Sequence, residues 1–129
     1  PEGGSVHLLE WPEVPGAEAD VAKWDALRAL REKVTEAIEP LRRDKVVRSS
    51  LQAKVSISAA AVPAGFSQAD LAELFITGTV SERQSEGVSV TPTSDAKCGR
   101  CWRHLPDVAE DDALCGRCED VVATLENEA

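Results

Sequence analysis

Four cysteines fall in two pairs, Cys98-Gly99-Arg100-Cys101 and Cys115-Gly116-Arg117-Cys118, with 13 residues between them. Each C-x2-C pair can close a turn whose backbone amides point at its sulfurs, and two such turns face to face supply the four thiolates of a tetrahedral zinc site. Four protein ligands fill the shell. A closed shell leaves no position for water or substrate, so one zinc ion held this way supports the fold and does not catalyse. Gly99 and Gly116 fit the reading, because a tight knuckle asks for backbone angles that glycine adopts at little cost. The competing chemistries are two disulfides, four unrelated buried thiols, or an iron centre on the same sulfurs. No run approaches the roughly 18 apolar residues of a membrane span, and no charged-then-apolar amino terminus suggests a signal peptide. A cytoplasmic setting is therefore expected, where thiols stay reduced and paired cysteines favour metal.

The residues beside the cysteines suggest what such a site could serve. His104 lies three residues past Cys101 and could replace a thiolate, but four cysteines already complete the shell; His7 is remote. Trp102 directly follows a ligand and is expected to cover the knuckle, with stacking on a nucleic-acid base as its alternative role. Lys97, Arg100, Arg103 and Arg117 bring positive charge to the same segment, and Arg42, Arg43, Lys45 and Arg48 form a second basic run. Such residues suit phosphate contacts, although a basic run at a helix end is also an ordinary solvated terminus.

The net charge is -9, which argues against gripping nucleic acid by bulk electrostatics. Its distribution is uneven. Residues 21–60 carry nine bases against five acids, and residues 97–118 balance, whereas the other segments are acidic. Any RNA contact should use those two segments. No nucleophile elbow, phosphate-cradling glycine loop or paired carboxylate on a recognisable scaffold is present, so the chain by itself lacks catalytic motifs.

Positioning elements can be read from periodicity. Val21, Trp24, Leu27, Leu30, Val34, Ile38 and Leu41 recur every three or four residues on one face of a long amphipathic helix, with Asp20 as N-cap and Glu18 near its positive end. Pro40 predicts a kink or an end. Trp24 and Trp11 are expected in the core, the latter anchoring a proline- and glycine-rich loop over residues 1–17. Strict alternation predicts a strand over 53–59, with Val55 and Ile57 inward. Ser67 with Asp70, and Phe66 with Leu71, match a capping arrangement and a hydrophobic staple for a short helix over 68–74. Strands are expected over 75–80 and 88–90, and a short helix over the tail with Val121, Val122 and Leu125.

The fold class is thus α+β: a long helix, a small strand-helix-strand-strand unit and a carboxy-terminal four-cysteine module of the zinc-ribbon kind. The expected divisions are residues 1–50, 51–94 and 95–129. The lack of methionine and the opening Pro1-Glu2-Gly3-Gly4 read as a cut made in a loop.

The segment Lys97 to His104, followed by Leu114 to Cys118, resembles the carboxy-terminal zinc finger of bacterial-type isoleucyl-tRNA synthetases, with its C-x-R-C-W and L-C-x-R-C hallmarks. Ser5-Val6-His7-Leu8, Trp11-Pro12, the helix Trp24 to Glu39, and Arg48 to Ala53 resemble that family's upstream signatures, in the same order. The resemblance is weakest between Ala59 and Asp95. It implies a parent enzyme that joins isoleucine to its tRNA using ATP, with this end packed on the anticodon stem-loop. The partners it implies are isoleucine tRNA and the rest of the synthetase chain, the fragment itself being monomeric, without a membrane. The finger of formamidopyrimidine-type DNA glycosylases and a zinc-ribbon module for protein interaction are the rival readings.

Overall fold

The structure, a computed structural model, describes residues 5–16 and 20–127. Glu18 and the opening Pro1 to Gly4 lie outside the described residues. A 3-10 turn, Val6–Leu8, is the one regular element among the described residues before the first α-helix. Helix α1 (Val21–Arg43) follows, capped by the Asp20 carboxylate, which accepts from the Lys23 amide. Its inward stripe is Leu27, Leu30, Val34 and Ile38, as the periodicity requires. Pro40 does not stop it. The helix runs one turn further and ends in paired reverse bonds, from the Lys45 amide to the Arg42 carbonyl (3.1 Å) and from the Val46 amide to the Leu41 carbonyl (2.8 Å). This arrangement needs a left-handed residue after the cap, and Lys45 supplies it at φ 58°. Lysine there hides the stop from a reader looking for glycine. Val47 then turns inward and is fully buried.

Strand β1 (Ala53–Ser58) occupies the centre of a three-stranded sheet in the order β2-β1-β3. Ala53, Val55 and Ile57 are buried on one face. Helix α2 (Gln68–Phe75) carries the chain to β2 (Thr79–Arg83), which pairs parallel to β1. Strand β3 (Val88–Pro92) pairs antiparallel on the other edge. The expected cap at Ser67 is complete: its hydroxyl accepts from the Asp70 amide (3.2 Å), and the Asp70 carboxylate accepts from the Ser67 amide (2.8 Å). Phe66 packs against the cluster that contains Leu71.

The strand expected over 75–80 is corrected at its start. Phe75 closes α2, and Ile76 takes a left-handed cap at φ 56°, so pairing begins only at Thr79. The apolar run Leu74 to Ile76 fits either element, and the capping box decides for helix.

One buried cluster joins α1, Val47, β1, α2 and β2. The tryptophan expectations fail. Trp11 is 94% exposed and Trp24 43%. Trp24 meets Phe66 edge-on at 5.6 Å. A final helix, α3 (Gly116–Asn127), begins inside the second cysteine pair and is longer than its three apolar residues suggest.

Candidate metal centre

The first cysteine pair sits at the tip of a short hairpin. Lys97 and His104 form an antiparallel bridge, the Cys98 amide donates to the Arg103 carbonyl (2.9 Å), and the Leu105 amide to the Ala96 carbonyl (3.2 Å). The turn closes when the Trp102 amide donates to the Cys98 carbonyl (3.0 Å). The second pair is the first turn of α3, where the Cys118 and Glu119 amides both donate to the Cys115 carbonyl. The Asp107 carboxylate accepts from the Gly116 amide at 2.9 Å and so caps α3 from the intervening loop. The Asp111 carboxylate holds the Lys97 amide at 2.8 Å.

These two turns bring all four Sγ atoms within 4.8 Å of one another. Cys101 Sγ and Cys115 Sγ are 3.8 Å apart. A tetrahedron with metal–sulfur bonds of about 2.3 Å has edges of about 3.8 Å, so the spacing fits a zinc ion. Disulfides are excluded by the same distances: all four cysteines are free thiols and no pair approaches a bond length of about 2.05 Å. Cys98, Cys115 and Cys118 are buried, and only Cys101 is partly open.

Amides aim at the sulfurs. Burial pushes the Cys98 thiol up, but bonds from the amides of Cys101, Arg100 and Cys115 outweigh it and hold Cys98 at about 6. Burial and the neighbouring sulfurs push Cys115 up to about 12, and burial also raises Cys101. Amide bonds thus favour the thiolate form at Cys98, while burial disfavours ionisation of Cys101 and Cys115. The four-cysteine cluster fits one structural zinc ion.

Gly99 and Gly116 have other reasons than the one expected. The described glycines with positive φ are Gly65 and Gly87, whereas in the knuckle Trp102 takes the left-handed angle, at φ 64°. Gly99 is needed for close approach, since a Cβ there would lie 2.5 Å from the Asp112 carbonyl oxygen. Gly116 simply begins α3.

Trp102 does not cover the knuckle. It is 66% exposed, and Val108, Leu105, Ala96, Ala113 and Leu114 pack on the cysteines instead. His104 is no ligand: its Nδ1 lies 2.8 Å from the Asp95 carbonyl oxygen. Arg100 is exposed and makes no ion pair among the described residues. Lys97 pairs with Asp112 at 3.2 Å. Arg117, 71% exposed, and Arg103, 19% exposed, both approach Glu73 Oε1 at 3.7 Å. Arg42, Arg43, Lys45 and Arg48 gather around an open hollow at the end of α1, with Arg42 paired to Glu39 at 3.3 Å. What sequence reasoning missed is the acidic loop: Asp107, Asp111 and Asp112 fasten the finger from within the spacer, and only their placement between the cysteine pairs hinted at it.

Residues 96–121 match the family described as "Zinc finger found in FPG and IleRS". The isoleucine–tRNA ligase of Zymomonas mobilis is 46% identical over 128 residues, covering 95% of this chain and 14% of the ligase. The chain is similar to one stretch of isoleucine–tRNA ligases. The ligase of Neisseria gonorrhoeae is 40% identical over 134 residues and that of Gluconobacter oxydans 36% over 135, covering 94% and 95% of this chain. The chain spans about one seventh of the length of these ligases, 14% in each case. The similarity extends well beyond the finger, through the α1 and sheet regions. It agrees with the resemblance to the carboxy-terminal region of isoleucyl-tRNA synthetases, and no helix of the described residues is long and apolar enough to cross a membrane.

Proposed function

We propose that this chain is the zinc-bearing carboxy-terminal region of an isoleucine–tRNA ligase, and that it helps the enzyme hold isoleucine tRNA at the anticodon stem-loop. The observation that carries the reading is the four-cysteine cluster lying within a chain that resembles these ligases over nearly its whole length. The cysteines hold zinc; side chains around them meet RNA. Trp102 is the stacking residue, because an indole held out at a left-handed angle has left the core for some other contact. Arg100, Arg117 and Lys97 reach phosphate from the finger, and Arg42, Arg43, Lys45 and Arg48 from the end of α1. Residues 1–50, 51–94 and 95–129 serve as helical support, junction and finger. ATP and isoleucine are handled elsewhere in the ligase, in the cytoplasm.

The test replaces Arg100 and Arg117 by alanine in the full ligase and measures isoleucine activation, tRNA affinity at several salt concentrations, and charging. Activation should stay unchanged while affinity falls, the salt dependence flattening by somewhat under about one unit for each lost phosphate contact. Impaired activation with normal tRNA affinity would refute the assignment, as would unchanged affinity with unchanged charging.

A further inference from the structure

Arg103 differs from the other basic residues of the finger. Its side chain is only 19% exposed, and its Nη2 donates to the Gly78 carbonyl at 3.3 Å while Nη1 faces Glu73 Oε1 at 3.7 Å. Both partners belong to the sheet unit: Glu73 lies on α2 and Gly78 on the turn that leads into β2. Its own carbonyl accepts from the Cys98 amide, so the same residue is built into the metal knuckle. Glu73 also receives Arg117 from the first turn of α3, which ties both cysteine pairs to one point on α2.

Gly78 makes the seat. A Cβ at that position would lie 2.7 Å from the Leu51 carbonyl oxygen, 3.2 Å from that of Ala53 and 3.4 Å from that of His104. The turn before β2 is thus pressed between the start of β1 and the finger's backbone, with Leu105 and Arg103 lining the seam beside Ala72 and Thr79.

We propose that Arg103 is a positioning residue: it fixes the zinc knuckle against the turn before β2, and so sets the direction in which Arg100 and Trp102 face. Its contribution to RNA binding, which rests on the function proposed above, comes through geometry and not through its charge. The ion pair with exposed Glu73 is weak by itself and serves to orient the fork. The planar guanidinium is required because one side chain must address a carbonyl and a carboxylate together; a lysine ammonium is a point donor on a flexible stem.

The experiment compares Arg103→Ala, Arg103→Lys, Arg100→Ala and Glu73→Gln in the full-length protein, by amide exchange over residues 76–80, zinc content and tRNA affinity against salt. Arg103→Ala should speed exchange over 76–80 by about tenfold, the size expected for one charged hydrogen bond lost. Arg103→Lys should behave like the alanine variant, and Arg100→Ala should leave that exchange unchanged. Arg100→Ala should flatten the salt slope of tRNA binding, and adding Arg103→Ala to Arg100→Ala should flatten it no further, because Arg103 acts through Arg100 and carries no phosphate contact of its own. If Arg103→Ala loses zinc, Glu73→Gln decides: it should keep the metal and still speed exchange at 76–80 several-fold, and unchanged exchange would overturn the proposal. So would wild-type exchange in Arg103→Lys, or a further flattening of the salt slope when Arg103→Ala is added to Arg100→Ala. Should no arginine affect tRNA binding while exchange still responds to Arg103, the positioning role stands and the RNA reading falls.

Discussion

The sheet unit and the finger solve the same problem by opposite means. Between them α1, β1, α2 and β2 bury Leu27, Leu30, Val34, Ile38, Ala53, Val55, Ile57, Leu71, Ala72, Phe75 and Val80, with Val47, in one cluster. The finger buries Cys98, Cys115, Cys118 and Val108. A unit whose described residues bury a single aliphatic side chain, Val108, has almost no apolar driving force of its own, so metal binding must take the place of a core. The two therefore differ in what destroys them. Loss of volume should hurt the sheet unit, and loss of a ligand should hurt the finger.

Chelation of the metal, or Cys98→Ala, should have the largest effect. The metal-binding free energy of such modules is on the order of 10 kcal/mol, so the finger should unfold outright. Amide exchange should rise throughout 96–121, while the amides of α1 and β1 keep their protection. Collapse of both regions together would show that the comparison is drawn in the wrong place. The mirror experiment is Leu71→Ala, which removes a fully buried side chain from the sheet unit. It should cost about 2–5 kcal/mol in denaturant unfolding and leave zinc content at one per chain.

Gly99→Ala asks whether the finger is also tightly packed where it has no core. The added methyl meets the Asp112 carbonyl at 2.5 Å. A cost of about 1–3 kcal/mol is expected, read as weakened zinc affinity in competition with a chelator, with the sheet unit unmoved. An unchanged affinity would mean that the acidic loop yields freely.

The smallest effect concerns the cap of α2. Hydrogen bonds from the Ser67 side chain and amide hold the Asp70 carboxyl below its ordinary value of 3.8. A depressed folded-state value means that ionised Asp70 favours the fold, so this contribution is present above about pH 4 and is lost as pH falls through the folded value. Ser67→Ala should lower stability by about 1 kcal/mol and remove part of that acid sensitivity, measured by thermal unfolding between neutral and acidic pH. Equal acid sensitivity in the variant would detach Asp70 from the cap.

What sequence could and could not reveal follows from the same contrast. The ligands were legible because two C-x2-C pairs have few other uses, and α1, β1 and the Ser67 cap because periodicity and capping are local. The end of α1 was not legible, because a lysine, not a glycine, takes the left-handed position there. Ile76 and Trp102 hide their turns in the same way, being residues that seldom adopt positive φ. The exposure of Trp11 and Trp24 was misread because a large apolar side chain is ordinarily a core residue, and sequence does not say whether its cover lies within the chain. Arg103 looked like its neighbour Arg100; only the fold separates a strut from a surface cation.

We propose that one zinc ion, held by Cys98, Cys101, Cys115 and Cys118, takes the place of a core in the finger. Zinc-edge X-ray absorption on protein purified without chelator, together with metal quantification, tests it most directly. One zinc per chain is expected, with four sulfurs at about 2.3 Å and no nitrogen or oxygen in the shell. A stoichiometry near zero, or a histidine nitrogen in place of a sulfur, would contradict it.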